Sequence, residues 1–264
     1  MRAVQKQLTM RQRIESKASV LGTVVQSSSE AIVEGLGCAG FDFAIMDMEH
    51  AAQDIPKVEN MVRAAQTRGM STLIRVWRGD PAIVAKAVDT GAEGLVFPSV
   101  ADRQEAERIV SWAKLPPLGR RGICPVTRSG GYFTMPLNDY RRITNELVII
   151  VYIETQEGLR NVDQIVSVPG IDVVMVGSLD LAVDMQLNLQ PWPPKELNAA
   201  FERVAAAAKK AGVTLMEFVV TPEEIPASYA RGAQIILYGT DTSIMTGACA
   251  DIVRRSKAIE KKVA

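Results

Sequence analysis

A single α/β domain, the (β/α)₈ TIM barrel, is the fold that the sequence predicts, on three observations. From Ser19 onward, short apolar runs alternate with longer amphipathic ones. The apolar runs are apolar throughout and several are rich in Val and Ile, as strands buried on both faces require. About eight strand–helix units in roughly 250 residues match the size of this barrel. An open doubly wound sheet is the main rival, because strand order is invisible in a sequence. No Gly-x-Gly-x-x-Gly follows the first strand, where Val25–Glu30 reads Val-Gln-Ser-Ser-Ser-Glu. The chain is therefore read as one barrel domain over 1–264, with 1–18 an N-terminal extension.

The expected strands are Val20–Val25, Phe41–Met48, Thr72–Val76, Gly94–Val100, Val148–Glu154, Val173–Gly177, Leu215–Val220 and Ile235–Gly239. Helical spacing predicts Glu30–Gly40, Val58–Arg68, Ile83–Thr90, Gln104–Lys114, Glu157–Ser167, Lys195–Ala211, Pro222–Ala230 and Thr242–Lys261. Asp102 can cap the helix that follows it, with Glu105 completing a capping box. Pro222 suits a first helical position, with Glu223 and Glu224 in the first turn. Gly40, Gly91, Gly170 and Gly212 stand where left-handed caps would end helices. Two stretches break the rhythm: the Gly-, Pro- and Arg-rich Pro116–Pro136, and the proline-bound Asn188–Pro194. The first is long enough to suggest a functional loop.

Composition excludes several classes of function. Lys plus Arg and Asp plus Glu number 30 each, aromatics are 5%, and no basic run stands out. A nucleic-acid surface is not expected. The three cysteines, Cys38, Cys124 and Cys249, are far apart and odd in number, which argues for a reducing compartment and against a disulfide framework. No apolar run reaches signal-peptide or membrane-spanning length, so a cytoplasmic protein without a membrane partner is expected.

Barrel chemistry sits where strands end. The second run ends Met46-Asp-Met-Glu-His50, the third Ile74-Arg-Val, the fifth Tyr152-Ile-Glu-Thr and the sixth Gly177-Ser-Leu-Asp. His50, the single histidine, is either an exposed loop residue or a general base tuned by Asp47 and Glu49. Glu154 and Asp180 close consecutive strands. They either cap the next helices or hold a hard cation such as Mg²⁺ or Mn²⁺. Arg75 suits an oxyanion or a developing enolate, or a salt bridge to Asp47 or Glu49, and both roles are compatible. Asp89, late in its helix, is by default solvated.

Taken together, these strand ends resemble the HpcH/HpaI family of class II, metal-dependent pyruvate and 2-oxo acid aldolases. The similarity runs from about Gly22 to Ala250. It is carried by Ala39-Gly-Phe-Asp-Phe with Met46–His50, Ile74-Arg-Val, Gly79-Asp-Pro, Val88-Asp-Thr-Gly-Ala, Arg121-Gly122, Ile153-Glu-Thr, Gly177–Leu181 and Gly239-Thr-Asp-Thr. The resemblance implies that Glu154 and Asp180 are the metal ligands and that Arg75 steadies the enolate oxygen. His50, paired with Asp89, would act as base through a metal-bound water that Asp47 and Glu49 order. Backbone amides of Gly177–Asp180 would take the carboxylate of the 2-oxo acid. It further implies Mg²⁺, Mn²⁺ or Co²⁺ as cofactor, an aldehyde as second substrate, no Schiff-base lysine, and a last helix that packs on or swaps with a neighbour in a hexamer. Two departures from the family pattern stand out: Tyr152 replaces a usual Gln, and Ser178, Leu179 and Ala182 replace residues of the usual Gly-Pro-x-Asp-Leu-Ser. Tyr152 and Leu179 are expected at the pocket wall. Decarboxylation of an oxaloacetate-like acid, cleavage of an acyl-CoA ester, and a catalytically idle barrel are the alternatives.

Overall fold

The computed structural model of the chain describes residues 8–77 and 80–263; Gly79 of the motif above lies outside them. A short helix α1 (Met10–Glu15) precedes β1 (Val20–Val25), α2 (Glu30–Ala39), β2 (Phe43–Asp47), α3 (Ile55–Thr67), β3 (Ser71–Arg75), α4 (Pro81–Asp89) and β4 (Gly94–Phe97). Then come α5 (Arg103–Ala113), α6 (Leu137–Asn145), β5 (Val148–Ile153), α7 (Gln156–Val166), β6 (Val173–Val176), α8 (Ser178–Asp184) and α9 (Leu197–Ala211). The chain closes with β7 (Thr214–Val219), α10 (Ile225–Ala230), β8 (Ile235–Thr240) and α11 (Asp241–Val263). The eight strands form a closed barrel in sequence order, all parallel, with β8 returning to β1 through Val20 opposite Ile235. This is the (β/α)₈ fold.

The period of two along each strand divides the apolar residues into two cores. Phe43, Ile45, Leu73, Val96, Ile150, Met175, Met216 and Leu237 fill the barrel interior. Their neighbours Ala44, Met46, Ile74, Leu95, Ile149, Val174 and Ile236 face the helices. Because both faces are covered, the strands carry no polar alternation until they reach the rim.

Some helix signals act as the sequence predicts, whereas Pro222 opens a 3₁₀ turn, Pro222–Glu224, ahead of α10, and α7 ends at Ser167 rather than at Gly170. Asp102 accepts from the Glu105 backbone N–H at 2.7 Å, and the Glu105 carboxylate reaches back to the N–H of Ala101 at 3.0 Å. Gly40 (φ 103°) and Gly212 (φ 70°) end α2 and α9 in the left-handed region. Three helices were not expected: α1, α6 and α8. Part of the predicted extension is thus structural. Met10 is buried in the barrel interior from below, and Arg11 forms a two-pronged pair with Asp172 at 2.6 and 2.8 Å. The Pro116–Pro136 stretch holds one short 3₁₀ turn, Arg128–Gly130, and leads into α6.

Candidate active site

Two positions beyond the last apolar layer, the inward-facing residues turn polar. Counting in twos gives Gln26 after Val24, Asp47 after Ile45, Arg75 after Leu73, and Glu154 after Tyr152. The β2–β3 register sets Asp47 directly opposite Arg75. The guanidinium grips the Asp47 carboxylate from Nε at 2.9 Å and Nη2 at 2.7 Å, leaving Nη1 3.3 Å from Glu49 Oε2. Asp47 is fully buried, and it also accepts from Gln26 Nε2 at 3.1 Å and from the N–H groups of Glu49 and His50 at 3.0 and 3.2 Å. Burial alone would raise its carboxyl, but Arg75, Gln26 and the His50 N–H together hold it below the usual range. The turn carrying Glu49 and His50 is thus folded around one buried ion pair.

Glu154 emerges from β5 and is 5% exposed. It does not cap α7; Thr155 does, accepting from Gly158 N–H at 3.0 Å. Both Ser99 donors, N–H at 2.8 Å and Oγ at 2.6 Å, bind Glu154 Oε2. Ser99 adopts φ 52°, a left-handed conformation that costs a non-glycine residue about 1–3 kcal/mol and points both donors at one carboxylate oxygen. Oε1 lies against Gly177, where an added Cβ would come within 2.5 Å of it. Only glycine leaves this carboxylate its place.

Asp180 stands in the first turn of α8 and is exposed, and no side-chain cap is formed at that helix start. Burial raises the Glu154 carboxyl, Ser99 opposes this, and the Asp180 and Glu49 charges raise it further. Burial likewise raises Glu49, against Arg75 and His50, with Asp47 and Asp180 adding to it. Glu49 Oε2 is buried with no hydrogen bond of its own. Two carboxyls raised by burial and by neighbouring negative charge, Glu154 and Glu49, beside the exposed Asp180, are the electrostatics of a cation site. The donors are all hard oxygens, which fits Mg²⁺ or Mn²⁺. Among the described residues no three His, Cys, Asp or Glu side chains converge on one point, so Glu154 and Asp180 would leave the remaining positions to water and substrate.

These groups surround a cavity of about 260 Å³ at the C-terminal ends of the strands. Val24, Met175, Phe218 and Leu237 form its apolar wall, with Gln26, Arg75, Tyr152 and Glu154 on its polar side. That volume lies just under the usual ~300–1,000 Å³ of ligand pockets and suits a small substrate. Tyr152 is buried, and burial raises its phenol, so it stays protonated beside Arg75 and Glu154. Wider clefts of about 540 and 630 Å³ open at the opposite end, around Arg11 and Gln234.

His50 lies on the rim, its side chain 58% exposed and Nε2 3.7 Å from Glu49 Oε2. Gly177, Ser178, Leu179 and Asp180 all line the cavity. Asp89 does not join them. It ends α4, and helices of this barrel run back from the strand tips toward the floor, so it meets Thr127 Oγ1 at 3.4 Å instead. Burial raises its carboxyl, opposed by Arg121 and Thr127. Lys114 is also far from the cavity: its ammonium donates to the carbonyls of Asn145 and Leu147, and burial lowers it to about 8. Gln26, Ser99 and Phe218 were missed in the sequence. The period of two was the signal for Gln26 and Phe218, whereas nothing in Pro98-Ser99 announces the turn.

A closed parallel barrel whose strand tips gather carboxylates and an arginine around a small cavity defines an enzyme of the (β/α)₈ class. Residues 21–248 match the family model for HpcH/HpaI aldolase/citrate lyase, and the chain belongs to that family. It is 30% identical over 233 residues to 2-dehydro-3,6-dideoxy-6-sulfogluconate aldolase of Pseudomonas putida, covering 88% of this chain and 90% of that one. Identity to 4-hydroxy-2-oxo-heptane-1,7-dioate aldolase of Escherichia coli is 29%, with 89% of each chain covered. An HpcH/HpaI aldolase from Desulfitobacterium hafniense superposes with TM-score 0.89 at 28% identity, covering 95% of this chain and 97% of that one. The protein is accordingly a carbon–carbon lyase of the 2-oxo acid aldolase type.

Proposed function

We propose that this site takes a pyruvate-like 2-oxo acid, forms its enolate, and joins it to or releases it from an aldehyde. The observation that carries the reading is the gathering of Glu154, Asp180 and Arg75 on the lining of one small cavity, with Glu49 paired to Arg75 beside it. Glu154 and Asp180 are the residues that would hold a divalent cation, Mg²⁺ or Mn²⁺ foremost, and such a cation supplies Lewis-acid polarisation of the 2-oxo group. Arg75, its orientation fixed by Asp47, lends positive charge to the enolate oxygen from a rigid position, a contribution of several kcal/mol where water is scarce. The N–H groups of Ser178, Leu179 and Asp180, which open α8, face the substrate carboxylate, the Gly177 N–H being taken by the Ile153 carbonyl at 3.0 Å. Tyr152, protonated, offers a hydroxyl where the family usually has an amide. His50 moves the C3 proton, with Glu49 steadying the imidazole; such transfer adds about 10²–10⁴-fold.

The pairing of His50 with Asp89 carried by the family resemblance is, in this reading, one between copies of the chain, because Asp89 lies at the far end of its own barrel. A homo-oligomer, the hexamer of the resemblance, follows from that. The free, exposed cysteines fit a reducing cytoplasm. No described helix is long and apolar enough to cross a membrane.

The test is deuterium exchange at the pyruvate methyl group, followed by NMR in D₂O. Exchange should require Mg²⁺ or Mn²⁺, stop with a chelator, and disappear in His50→Ala and Glu154→Ala. Exchange that persists in both variants would overturn the assignment of the site.

A further inference from the structure

The cavity does not end at Phe218. Ser178, Leu179 and Phe218 line both it and an adjoining groove of about 390 Å³ between α8, α9 and α10. We infer that this groove is the acceptor subsite and that it selects aldehydes with an apolar tail, aryl or alkyl, over aldehydes ending in a carboxylate. The inference rests on the enolate reading above and names its second substrate class.

Two observations carry it. The first is the groove's apolar surface. Leu179, Trp192, Phe218 and Val220 come from α8, the loop before α9, β7 and its exit, and they remain 54%, 39%, 37% and 48% exposed. Single exposed apolar side chains are ordinary, but four from separate elements, gathered on one groove that opens from a catalytic cavity, form a surface built to be covered by a ligand.

The second is the state of the groove's charges. Arg231 is held by both oxygens of Glu217, Nε to Oε1 at 2.7 Å and Nη2 to Oε2, and its guanidinium lies 5.3 Å over the Phe201 ring. Glu224 accepts from the Val220 N–H at 2.9 Å. Arg231 is thus already neutralised by Glu217, and Glu224 leaves the groove with one net negative charge. A carboxylate tail entering it would lose water and meet Glu217 and Glu224 with no unpaired cation among the described lining residues, a cost that an apolar tail escapes.

The bond-forming step balances without a further reagent. C3 of the enolate attacks the aldehyde carbon, the carbonyl electron pair moves to the aldehyde oxygen, and that oxygen takes one proton in place of the one lost from C3. The 2-oxo group reforms, and every carbon of both substrates stays in the product. The aldehyde's tail is the part left pointing outward across Phe218.

Initial-rate condensation of pyruvate with hexanal, benzaldehyde and succinate semialdehyde tests this, with methyl deuterium exchange run alongside on the wild-type protein. Wild type should favour the two apolar aldehydes by tenfold or more in kcat/KM, a discrimination ordinary for apolar pockets. Val220→Lys places a cation in the groove and should shrink or reverse that ratio; Trp192→Ser, at an exposed groove position outside the donor cavity, should lower use of both apolar aldehydes and leave methyl exchange unchanged. Thermal unfolding of both variants reports on their folding. Exchange without any preference for apolar aldehydes, or a ratio unmoved in both folded variants, would overturn the subsite while leaving the enolate site standing. Absence of exchange in wild type would instead remove the enolate reading itself.

Discussion

Asp47 sits where three strands hand over their functional side chains: Gln26 from the exit of β1, its own β2, and Arg75 of β3. Removing its charge would strand the Arg75 guanidinium in a buried place, and breaking a buried pair in this way costs about 3–5 kcal/mol. Asp47→Asn should therefore lower the unfolding free energy in urea by that amount at neutral pH. The sign of the pH dependence follows from the direction of the shift. The folded-state carboxyl titrates below its ordinary 3.8, so its contribution is complete above pH 3.8 and is lost as pH falls through the lower folded value. The gap between wild type and variant should stay constant from pH 7 to about 4 and close only below that. A gap that instead closes between pH 5 and 7 would show that another group controls the pair.

At the scale of elements, what the sequence made legible was what periodicity governs. All eight strands and the helices that cover them follow from apolar runs, because burial on both faces leaves no other pattern. Glu154, Arg75 and His50 were legible as residues at or just past strand ends, though not their contacts, whereas Asp180, expected to close a strand, stands in the first turn of α8. The misses share a cause: they are held by distant partners rather than local preference. Helix α1 is six residues long, with Met10 and Ile14 as its apolar pair, and would not stand alone in water. It is kept by the Met10 N–H on Glu93 at 2.6 Å, Arg11 on Asp172, and Arg13 on Asp42 at 2.7 Å. Ser99 was hidden because a left-handed serine has no sequence signature, and Asp89 because its helix end gives no hint of what it will face. Met10→Ala should reveal how much the floor of the barrel depends on α1. Met10 is fully buried, and emptying its place should cost about 2–5 kcal/mol in denaturant unfolding, with the methyl exchange of pyruvate unchanged at 25 °C.

At the scale of the whole molecule, one barrel holds His50 on its rim and Asp89 near its floor. Helix α11 also leaves Met245, Ile252, Val253 and Ile259 exposed along its length, an apolar stripe consistent with packing on another copy. Light scattering should thus report a mass several times 28.7 kDa. A sharper outcome follows for mixed assemblies. His50→Ala and Asp89→Ala should each be inactive alone, yet produced together they should regain about one quarter of the exchange rate, since random assembly leaves that share of sites with both side chains. No regain would place the two residues in separate roles. The Arg11–Asp172 and Gln234–Arg13 contacts, 161 and 221 residues apart in sequence, have a consequence for biosynthesis. At about 5–20 residues per second on the ribosome, α1 leaves the exit tunnel roughly 10–40 s before the last of its partners is translated. A helix made before its partners is therefore among the last to dock, and for that interval the nascent barrel stays open at its floor, the period when a chaperone has most to hold.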